Sequence, residues 1–417
     1  MCSQRVKFAS PFAPLQLSET DIGTLDQLSR VLVSNYVAQY EQYLQDGGSA
    51  GIDEREWKHI KQRESVRVFA QRKDRSDGGG VDDIRDSIDG FADSGVLQPS
   101  DLPVILTVGS IAGTLDDVMY GSVCPTVEVL RVKASYGANQ VADAAVLHTI
   151  VEPTESDPFQ SLVIKWGLNR LNLLRRSILN NRDLVYMERT GTTHTTSGER
   201  LGFHMLHSVH FPQTRELPPT VRSNVSVCCI YRDIPERNQV DLFVRGIIDP
   251  RSNAPNTLVI QAAADIFLPV ARYVECSYRK KLMWKLRTKK QKNEDFIHKL
   301  PFSADKQISC ATCKRPPSRV RNALGDSWSR RCALCTKYIC SSCRIKKTLS
   351  CVPSATGKLL QREYSFCDAC YTESCQSDAF TTALEEFVFL EVNGAGANES
   401  FGFRDDLYSF TSNSESS

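Results

Sequence analysis

The sequence contains four cysteine pairs of one pattern, CATC (310–313), CALC (332–335), CSSC (340–343) and CDAC (367–370). A two-residue spacer lets one tight turn bring both sulfurs of a pair to the same ion, and four thiolates complete a tetrahedral structural zinc site. Four pairs therefore predict two structural zinc ions. The predicted ligands are Cys310, Cys313, Cys332, Cys335, Cys340, Cys343, Cys367 and Cys370. The spacing by itself allows either interleaved or sequential pairing of the four turns.

Length and composition predict a cytoplasmic protein of two or three domains. The 417 residues carry a net charge of +2, which creates no overall field that would attract nucleic acid. The N-terminal sequence MCSQRVKFASPFAPLQL lacks the apolar core of a signal peptide, and no stretch approaches the ~20 apolar residues of a membrane span. We therefore expect reduced, metal-bound thiols and contact with membranes only from the surface.

The segment before the cysteines shows the pattern of an α+β domain. Periodic apolar residues predict a helix over 17–45, capped by Ser18 or Thr20, and further helices from 114 toward 133 and over 143–150. A long helix over 256–286 should kink at Pro269. The β-type runs are 66–70, 104–113, 161–168, 184–190, 200–211, 224–234 and 240–248. Short connections favour an antiparallel sheet that grips the long helix and leaves an apolar cavity between them.

Composition shifts divide the chain further. The run RKKLMWKLRTKKQK (279–292) holds eight Lys or Arg residues and indicates a boundary, and the last segment is acidic and rich in Gly, Ser and Asn. The predicted divisions are an N-terminal helical segment (1–54), the α+β domain (55–287), a basic linker (288–305), the zinc finger (306–376), and a short amphipathic piece with a disordered acidic tail (377–417).

The finger resembles the FYVE family in the order of its cysteine spacings and in its ending CDACY (367–371). The resemblance implies cross-braced zinc binding, with the first and third pairs on one ion and the second and fourth on the other. It also implies recognition of phosphatidylinositol 3-phosphate on endosomal membranes. The chain departs from the family in its basic motif, because WSRRCA (328–333) offers only Arg330 and Arg331 where the family has histidines.

The upstream domain resembles the START lipid-transfer superfamily. The resemblance rests on the order of helix, sheet and long C-terminal helix, on NRDLVY (181–186) and on VRS (221–223). It implies a helix-grip fold that holds an apolar lipid. The order of a START-like domain followed by a FYVE-like finger is similar to the arrangement in a large set of oomycete proteins.

Basic and apolar side chains of the finger are candidates for membrane contact. Arg330, Arg331, Lys346 and Lys347 are predicted to meet an anionic lipid headgroup, because guanidinium and ammonium groups bind phosphate. Leu324 and Trp328 are predicted to insert into the bilayer interface. The competing interpretations are a solvated basic surface and a packing role for the tryptophan.

These patterns predict a non-enzymatic protein that binds an apolar lipid and a phosphoinositide-bearing membrane. One alternative is a protein-interaction adaptor or RING-like ubiquitin ligase, which the lack of a histidine ligand and the four-residue middle gap disfavour. A second is an enzyme on the START-like scaffold, which would need a polar constellation in the cavity that the sequence does not reveal. His204, His207 and His210 alternate along a strand, so they are expected to be hydrogen-bonded or exposed and not metal ligands.

Overall fold

The computed structural model of this chain describes residues 10–72, 102–137, 141–169, 181–251, 255–294, 309–316, 330–352 and 358–394. It consists of two compact units, residues 1–274 and 275–417, and the division falls within one helix, between Val274 and Glu275. The predicted boundaries of the five segments remain predictions.

The first unit is built on one large antiparallel sheet. Its strands follow the order β1-β2-β3-β10-β9-β7-β6-β5-β4, and β8 pairs in parallel with β6 off this path. The strands are β1 (Trp57–Arg63), β2 (Val66–Gln71), β3 (Val104–Ala112), β4 (Val141–Val151), β5 (Ser161–Asn169), β6 (Arg182–His194), β7 (Arg200–Ser208), β8 (Val221–Arg222), β9 (Asn224–Ile234) and β10 (Gln239–Asp249). The strand predictions from 161 onward are therefore confirmed.

One face of the sheet is apolar and is covered by helix α1 (Glu19–Gln45). Ser18 caps this helix, since its hydroxyl accepts from the Asp21 amide while the Asp21 carboxylate accepts from the Ser18 amide. The helix buries one stripe against the sheet, which includes Leu32, Tyr36 and Tyr40. The face under α1 is thus the main hydrophobic core of this unit.

The opposite face is covered by helices α2 (Leu115–Ser122), α3 (Val127–Tyr136) and α4 (Asn256–Phe267). Leu115 and Met119 of α2 pack directly over Gly202, where a Cβ atom would lie within 3.0 Å of both side chains. Helix α4 contacts β1, β2, β3 and β10. The sheet is therefore gripped between α1 on one side and a set of helices on the other.

The long C-terminal helix is interrupted as predicted. A 3-10 turn (Leu268–Arg272), which contains Pro269, separates α4 from helix α5 (Tyr273–Glu294). The stretch Asn256–Lys289 is long and apolar enough to span a membrane, which the sequence analysis did not expect. Its apolar residues Ala263, Phe267 and Val270 are buried within the first unit, and a core helix meets the same criterion.

Two predictions in this unit are wrong. Residues 143–150 form most of strand β4 and not a helix, because Ala145 and Leu147 alternate toward the α1 face while β4 pairs with β5 along its length. The single helix expected from 114 toward 133 is divided into α2 and α3, with Pro125 between them. Strand β1 was not predicted; it is a mostly exposed edge strand, which carries little apolar periodicity.

The two motifs that carry the START resemblance meet in the structure. Strand β8 pairs with the start of β6, so that Arg222 lies opposite Asp183. The Arg222 guanidinium donates to the Asp183 carboxylate at 2.9 Å, and the Trp166 indole donates to the same oxygen at 3.0 Å. Both ionised side chains are buried, so removing either partner would leave an uncompensated charge in the core.

The second unit combines a zinc-finger-like segment with helices on both sides of it in sequence. Its elements are most of α5, the hairpin β11 (Ile345–Cys351) and β12 (Leu360–Phe366), and helices α6 (Asp368–Gln376) and α7 (Ala379–Gly394). Trp284 of α5 donates to Glu385 at 2.8 Å and packs edge-on against Phe389 of α7. The amphipathic piece predicted after the finger is therefore a helix that packs against α5.

A buried histidine under α1 makes this fold sensitive to acid. The His207 ring contacts the Ser226 hydroxyl at 3.0 Å, and Tyr36 of α1 contacts the same hydroxyl at 3.3 Å. Burial, and secondarily the charge of nearby His210, lowers the pKa of His207 from 6.5 to about 4. The unfolded chain therefore binds more protons between these values, so stability is lost as pH falls from about 6.5 toward 4.

We expect His207 to destabilise the wild-type fold by about 2 kcal/mol at pH 5 relative to neutral pH. Urea unfolding of wild type and of His207→Asn at pH 7.5 and pH 5 measures this difference, and the variant should lose that much less stability on acidification. His59→Asn, which alters an exposed histidine of β1, is the matched control. An equal acid-induced loss in wild type and His207→Asn would contradict the prediction.

Candidate functional site

The first two cysteine pairs lie on turns of the same design. In the first, the Lys314 amide donates to the Cys310 carbonyl at 2.9 Å; in the second, the Thr336 amide donates to the Cys332 carbonyl at 2.8 Å. The donor residue in each turn has a positive φ, 62° for Lys314 and 59° for Thr336. This left-handed residue closes the turn after the second cysteine, so that both sulfurs of a pair point to one side.

The four pairs combine in interleaved order. Among the described residues, two groups can hold a metal ion, and within each group the four sulfurs lie within 4.8 Å of one another. The first and third pairs form one group, and the second and fourth form the other: Cys310, Cys313, Cys340 and Cys343; and Cys332, Cys335, Cys367 and Cys370. The fold thus selects the cross-brace, which spacing alone had left open.

The sulfur separations fit zinc. A tetrahedral ion with Zn–S bonds of about 2.3 Å requires its thiolates to stand roughly 3.8 Å apart. The Cys313 and Cys340 sulfurs are 3.8 Å apart, and the Cys335 and Cys367 sulfurs are 3.7 Å apart. Four thiolates per site would fill the coordination sphere, so a zinc ion held there has a structural and not a catalytic role.

The protonation of the thiols also indicates a cation. Burial raises the pKa of Cys310, but amide N–H groups directed at its sulfur, including that of Cys340 at 3.4 Å, outweigh burial and lower the pKa to about 6. In the same group, hydrogen bonding to Cys340 and Cys313 raises the pKa of Cys343 to about 12. Four thiolates this close repel one another, and a divalent cation removes that conflict.

A hydrophobic shell surrounds the cysteines. The cluster around them includes Leu334, Ile339 and Phe366 from the finger, and Leu282 and Leu286 from α5. The core at the metal centre therefore extends beyond residues 306–376. Apolar packing on the sulfurs keeps water away from the metal–thiolate bonds.

The predicted headgroup residues lie in different surroundings. Lys346 pairs with Glu363 at 2.7 Å in an exposed position. Lys347 pairs with Glu275 at 3.0 Å and lies over the Tyr371 ring.

The two arginines lie beside the second metal group. Arg330 directly precedes Arg331, whose guanidinium donates to the Thr336 carbonyl at 3.1 Å in the turn that carries Cys332. Leu324 and Trp328 lie outside the described residues.

The first unit contains a buried polar cluster on the sheet face under α2, α3 and α4. Lys165 of β5 forms an ion pair with Glu188 of β6, and both side chains are almost fully buried. His204 of β7 contacts the other Glu188 oxygen at 2.6 Å. Lys165 and Lys133 each bond a backbone carbonyl at 2.6 Å, that of Cys124 and that of Ser122 respectively.

The charges of this cluster stabilise one another. Burial raises the pKa of Glu188, but the charge of Lys165 and the contact with His204 outweigh it and hold the pKa well below its usual range. Burial, and then the charge of Lys133, lowers the pKa of His204. At neutral pH the site therefore holds an ionised Lys165–Glu188 pair beside a neutral imidazole.

Some buried polar atoms on this face have no hydrogen-bond partner in the described structure. They are the Tyr231 hydroxyl, the Thr107 hydroxyl and Nδ1 of His204. Tyr231 and Thr107 are completely buried, and His204 is 4% exposed. Native proteins rarely leave such groups unsatisfied, so each one indicates a bound water or ligand atom.

This cluster was not predicted from the sequence. An apolar cavity without a polar constellation was expected, whereas the structure places Lys165, Glu188 and His204 together on three adjacent strands. The available signal was a lysine inside SLVIKWGL and a glutamate inside LVYMERT, since a charged residue in a buried strand needs a partner. The histidines are hydrogen-bonded at 204 and 207 and exposed at 210, as expected.

Comparison with known proteins finds similarity only at the level of structure. No protein-family model matches the sequence, and no curated protein does. Human StAR-related lipid transfer protein 5 is similar with 15% identity and a TM-score of 0.39, over 61% of this chain and 97% of that chain. Human STARD10 is similar with 13% identity and a TM-score of 0.37, over 67% and 86%. The human StarD13 (DLC2) lipid transfer and protein localization domain follows with 12% identity and a TM-score of 0.35, over 57% and 94%.

The interleaved arrangement predicts how zinc content responds to paired substitutions. Cys310→Ser/Cys340→Ser removes two ligands from one group and should leave one zinc ion per chain. Cys310→Ser/Cys332→Ser removes one ligand from each group and should lower the affinity of both sites. Elemental analysis of the reduced full chain measures the content, and wild type should hold two. Retention of one tight site by the second variant but not by the first would contradict the cross-brace.

Proposed function

We propose that this chain is a non-enzymatic protein that binds lipid and membrane in its two units. The first unit holds a lipid with a large apolar part between the sheet and helices α2, α3 and α4. The second unit is a FYVE-like finger, stabilised by two zinc ions, that docks on phosphoinositide-bearing membranes such as endosomes. In this proposal the protein is cytoplasmic and associates with the surface of those membranes.

The observation that carries the proposal is the buried polar cluster on the sheet face under α2, α3 and α4. The face under α1 is filled by apolar side chains such as Leu32, Leu106 and Phe243. The face under α2, α3 and α4 keeps the buried hydroxyls of Tyr231 and Thr107 without partners. Buried hydroxyls without partners beside the Lys165–Glu188 ion pair are suited to binding the polar group of a ligand.

The all-cysteine metal groups support a recognition role for the second unit. Thiolates that occupy every position of a tetrahedral ion leave no site for an activated water. The zinc ions would then only hold the turns that present Arg330 and Arg331, which immediately precede the ligand Cys332. An anionic membrane attracts each nearby basic side chain by about 1 kcal/mol.

Uptake of lipid tests the first half of this proposal. The full chain, stripped of endogenous lipid, should bind a fluorescent long-chain lipid with saturation at one molecule per chain. Chelation of zinc with EDTA should abolish binding to phosphoinositide vesicles but leave lipid uptake in place, because the metal groups lie in the second unit only. A chain that takes up no lipid, with or without zinc, would refute this half.

Loss of the two arginines tests the second half. Arg330→Ala/Arg331→Ala removes about 2 kcal/mol of attraction and should weaken binding to phosphoinositide vesicles roughly 30-fold in sedimentation assays. Lys58→Ala/Arg63→Ala, on edge strand β1 of the first unit, removes the same charge as a control. Zinc content is measured in parallel, so that a damaged finger is recognised. Unchanged vesicle binding across a panel of phosphoinositides would contradict the proposal.

A further inference from the structure

The buried polar atoms without hydrogen-bond partners, on His204 and Tyr231, differ in the kind of hydrogen bond that they can form. Nε2 of His204 lies 2.6 Å from a carboxylate oxygen of Glu188. An ionised carboxylate can only accept a hydrogen bond, so Nε2 of this imidazole carries the proton. A neutral imidazole has one N–H, which leaves Nδ1 as an unprotonated acceptor.

This acceptor is buried and unsatisfied. Nδ1 of His204 has no partner among the described residues, and the residue is 4% exposed. The cationic neighbours of the imidazole, Lys165 and Lys133, donate to the Cys124 and Ser122 carbonyls. Only a group that brings its own O–H or N–H proton can satisfy Nδ1, because an ester, ketone or carboxylate oxygen would face a lone pair.

A complementary donor lies on the same face. Tyr231 of β9 is a diagonal neighbour of His204 of β7, since Cys229 lies opposite His204 in the strand pairing and Tyr231 opposite Gly202. The Tyr231 hydroxyl is completely buried and has no oxygen or nitrogen partner, and its neighbour is the thiol of Cys229, a weak acceptor that a ligand oxygen would replace. Burial, and then nearby Cys229 and Tyr273, holds the pKa of this phenol well above its usual range, so it keeps its proton and can donate.

Tyr273 is a neighbour of both groups, since its phenol is among the causes that raise the pKa of Tyr231. Its ring centroid lies 6.1 Å from that of the His204 ring, and the ammonium of Lys133 lies 4.5 Å from it. Tyr273 begins helix α5, directly after the turn that contains Pro269. The acceptor at His204 and the donor at Tyr231 therefore face one polar spot between the sheet and the helices that cover it.

We infer that the ligand of the first unit carries a neutral hydroxyl group that forms hydrogen bonds with the side chains of both His204 and Tyr231. The hydroxyl donates its proton to Nδ1 of His204, and its oxygen accepts from the Tyr231 hydroxyl. This inference rests on the proposed lipid-binding function and specifies the chemical class of the ligand as a lipid alcohol. Fatty acids and esters of the same length lack the proton donor at neutral pH and are discriminated against.

A matched pair of probes tests the role of His204 without altering the protein. In the methyl ether of a long-chain fatty alcohol, a methyl group replaces the hydroxyl proton, so only the alcohol can donate, while both keep an acceptor oxygen for Tyr231. The corresponding thiol and alkane of similar length control for the added volume. Competition of each probe against a fluorescent lipid on the full chain should show the alcohol binding at least about ten-fold more tightly, because the ether leaves Nδ1 unsatisfied.

Tyr231→Phe tests the second contact. The variant should bind the alcohol about ten-fold more weakly than wild type while still preferring the alcohol to the ether. Without ligand, its urea midpoint should equal or exceed that of wild type, because the hydroxyl that it loses is buried with no oxygen or nitrogen partner and only the weakly accepting Cys229 thiol beside it.

Tyr36→Phe is the matched control, since Tyr36 is an equally buried tyrosine on the α1 face whose hydroxyl contacts Ser226. It should lower the urea midpoint but leave both probe affinities unchanged. Equal binding of alcohol and ether would overturn the assignment of His204 and leave lipid binding intact. Failure of both probes and of the fluorescent lipid to bind would instead refute the proposed function and this inference with it.

Discussion

The ion pair between Lys165 and Glu188 imposes the main constraint on the first unit. Two charges removed from water must keep their partners, and neither strand β5 nor β6 can shift in register without separating them. The pair also fixes the proton on Nε2 of His204 through the second Glu188 oxygen. The face of the sheet under α2, α3 and α4 is therefore a polar site with defined donors and acceptors.

Much of this architecture is readable in the sequence because its periodic signals are strong and local. The strands from 161 onward, the capped first helix and the kink at Pro269 each depend on residues close together in the chain. Strand β4 was misread because its alanines favour a helix, and only pairing with β5 decides otherwise. The polar cluster escaped prediction for a related reason, since its members come from separate strands whose adjacency no local pattern reveals.

The metal centre shows the same division between local and distant information. Two-residue spacers predicted the ligands, but their grouping depends on how turns that begin 30 residues apart (310 and 340) and 35 residues apart (332 and 367) fold together. The hydrophobic shell that protects the sulfurs was not foreseen. Leu282 and Leu286 were assigned to the end of the long helix of the α+β domain and not to the finger. Basic residues on one side of a helix conceal the apolar residues on its other side.

The cross-brace has a consequence for metal binding while the chain is being synthesised on the ribosome. The first metal group is complete once Cys343 has emerged, but by then two ligands of the second group, Cys332 and Cys335, are already exposed within the loop that it encloses. The second group is complete only after Cys367 and Cys370 have been synthesised, and the hairpin of β11 and β12 lies between these two parts of the group in sequence. A metal ion could therefore occupy the first group before the second is complete, and during that interval the thiols of Cys332 and Cys335 lack their two partner ligands.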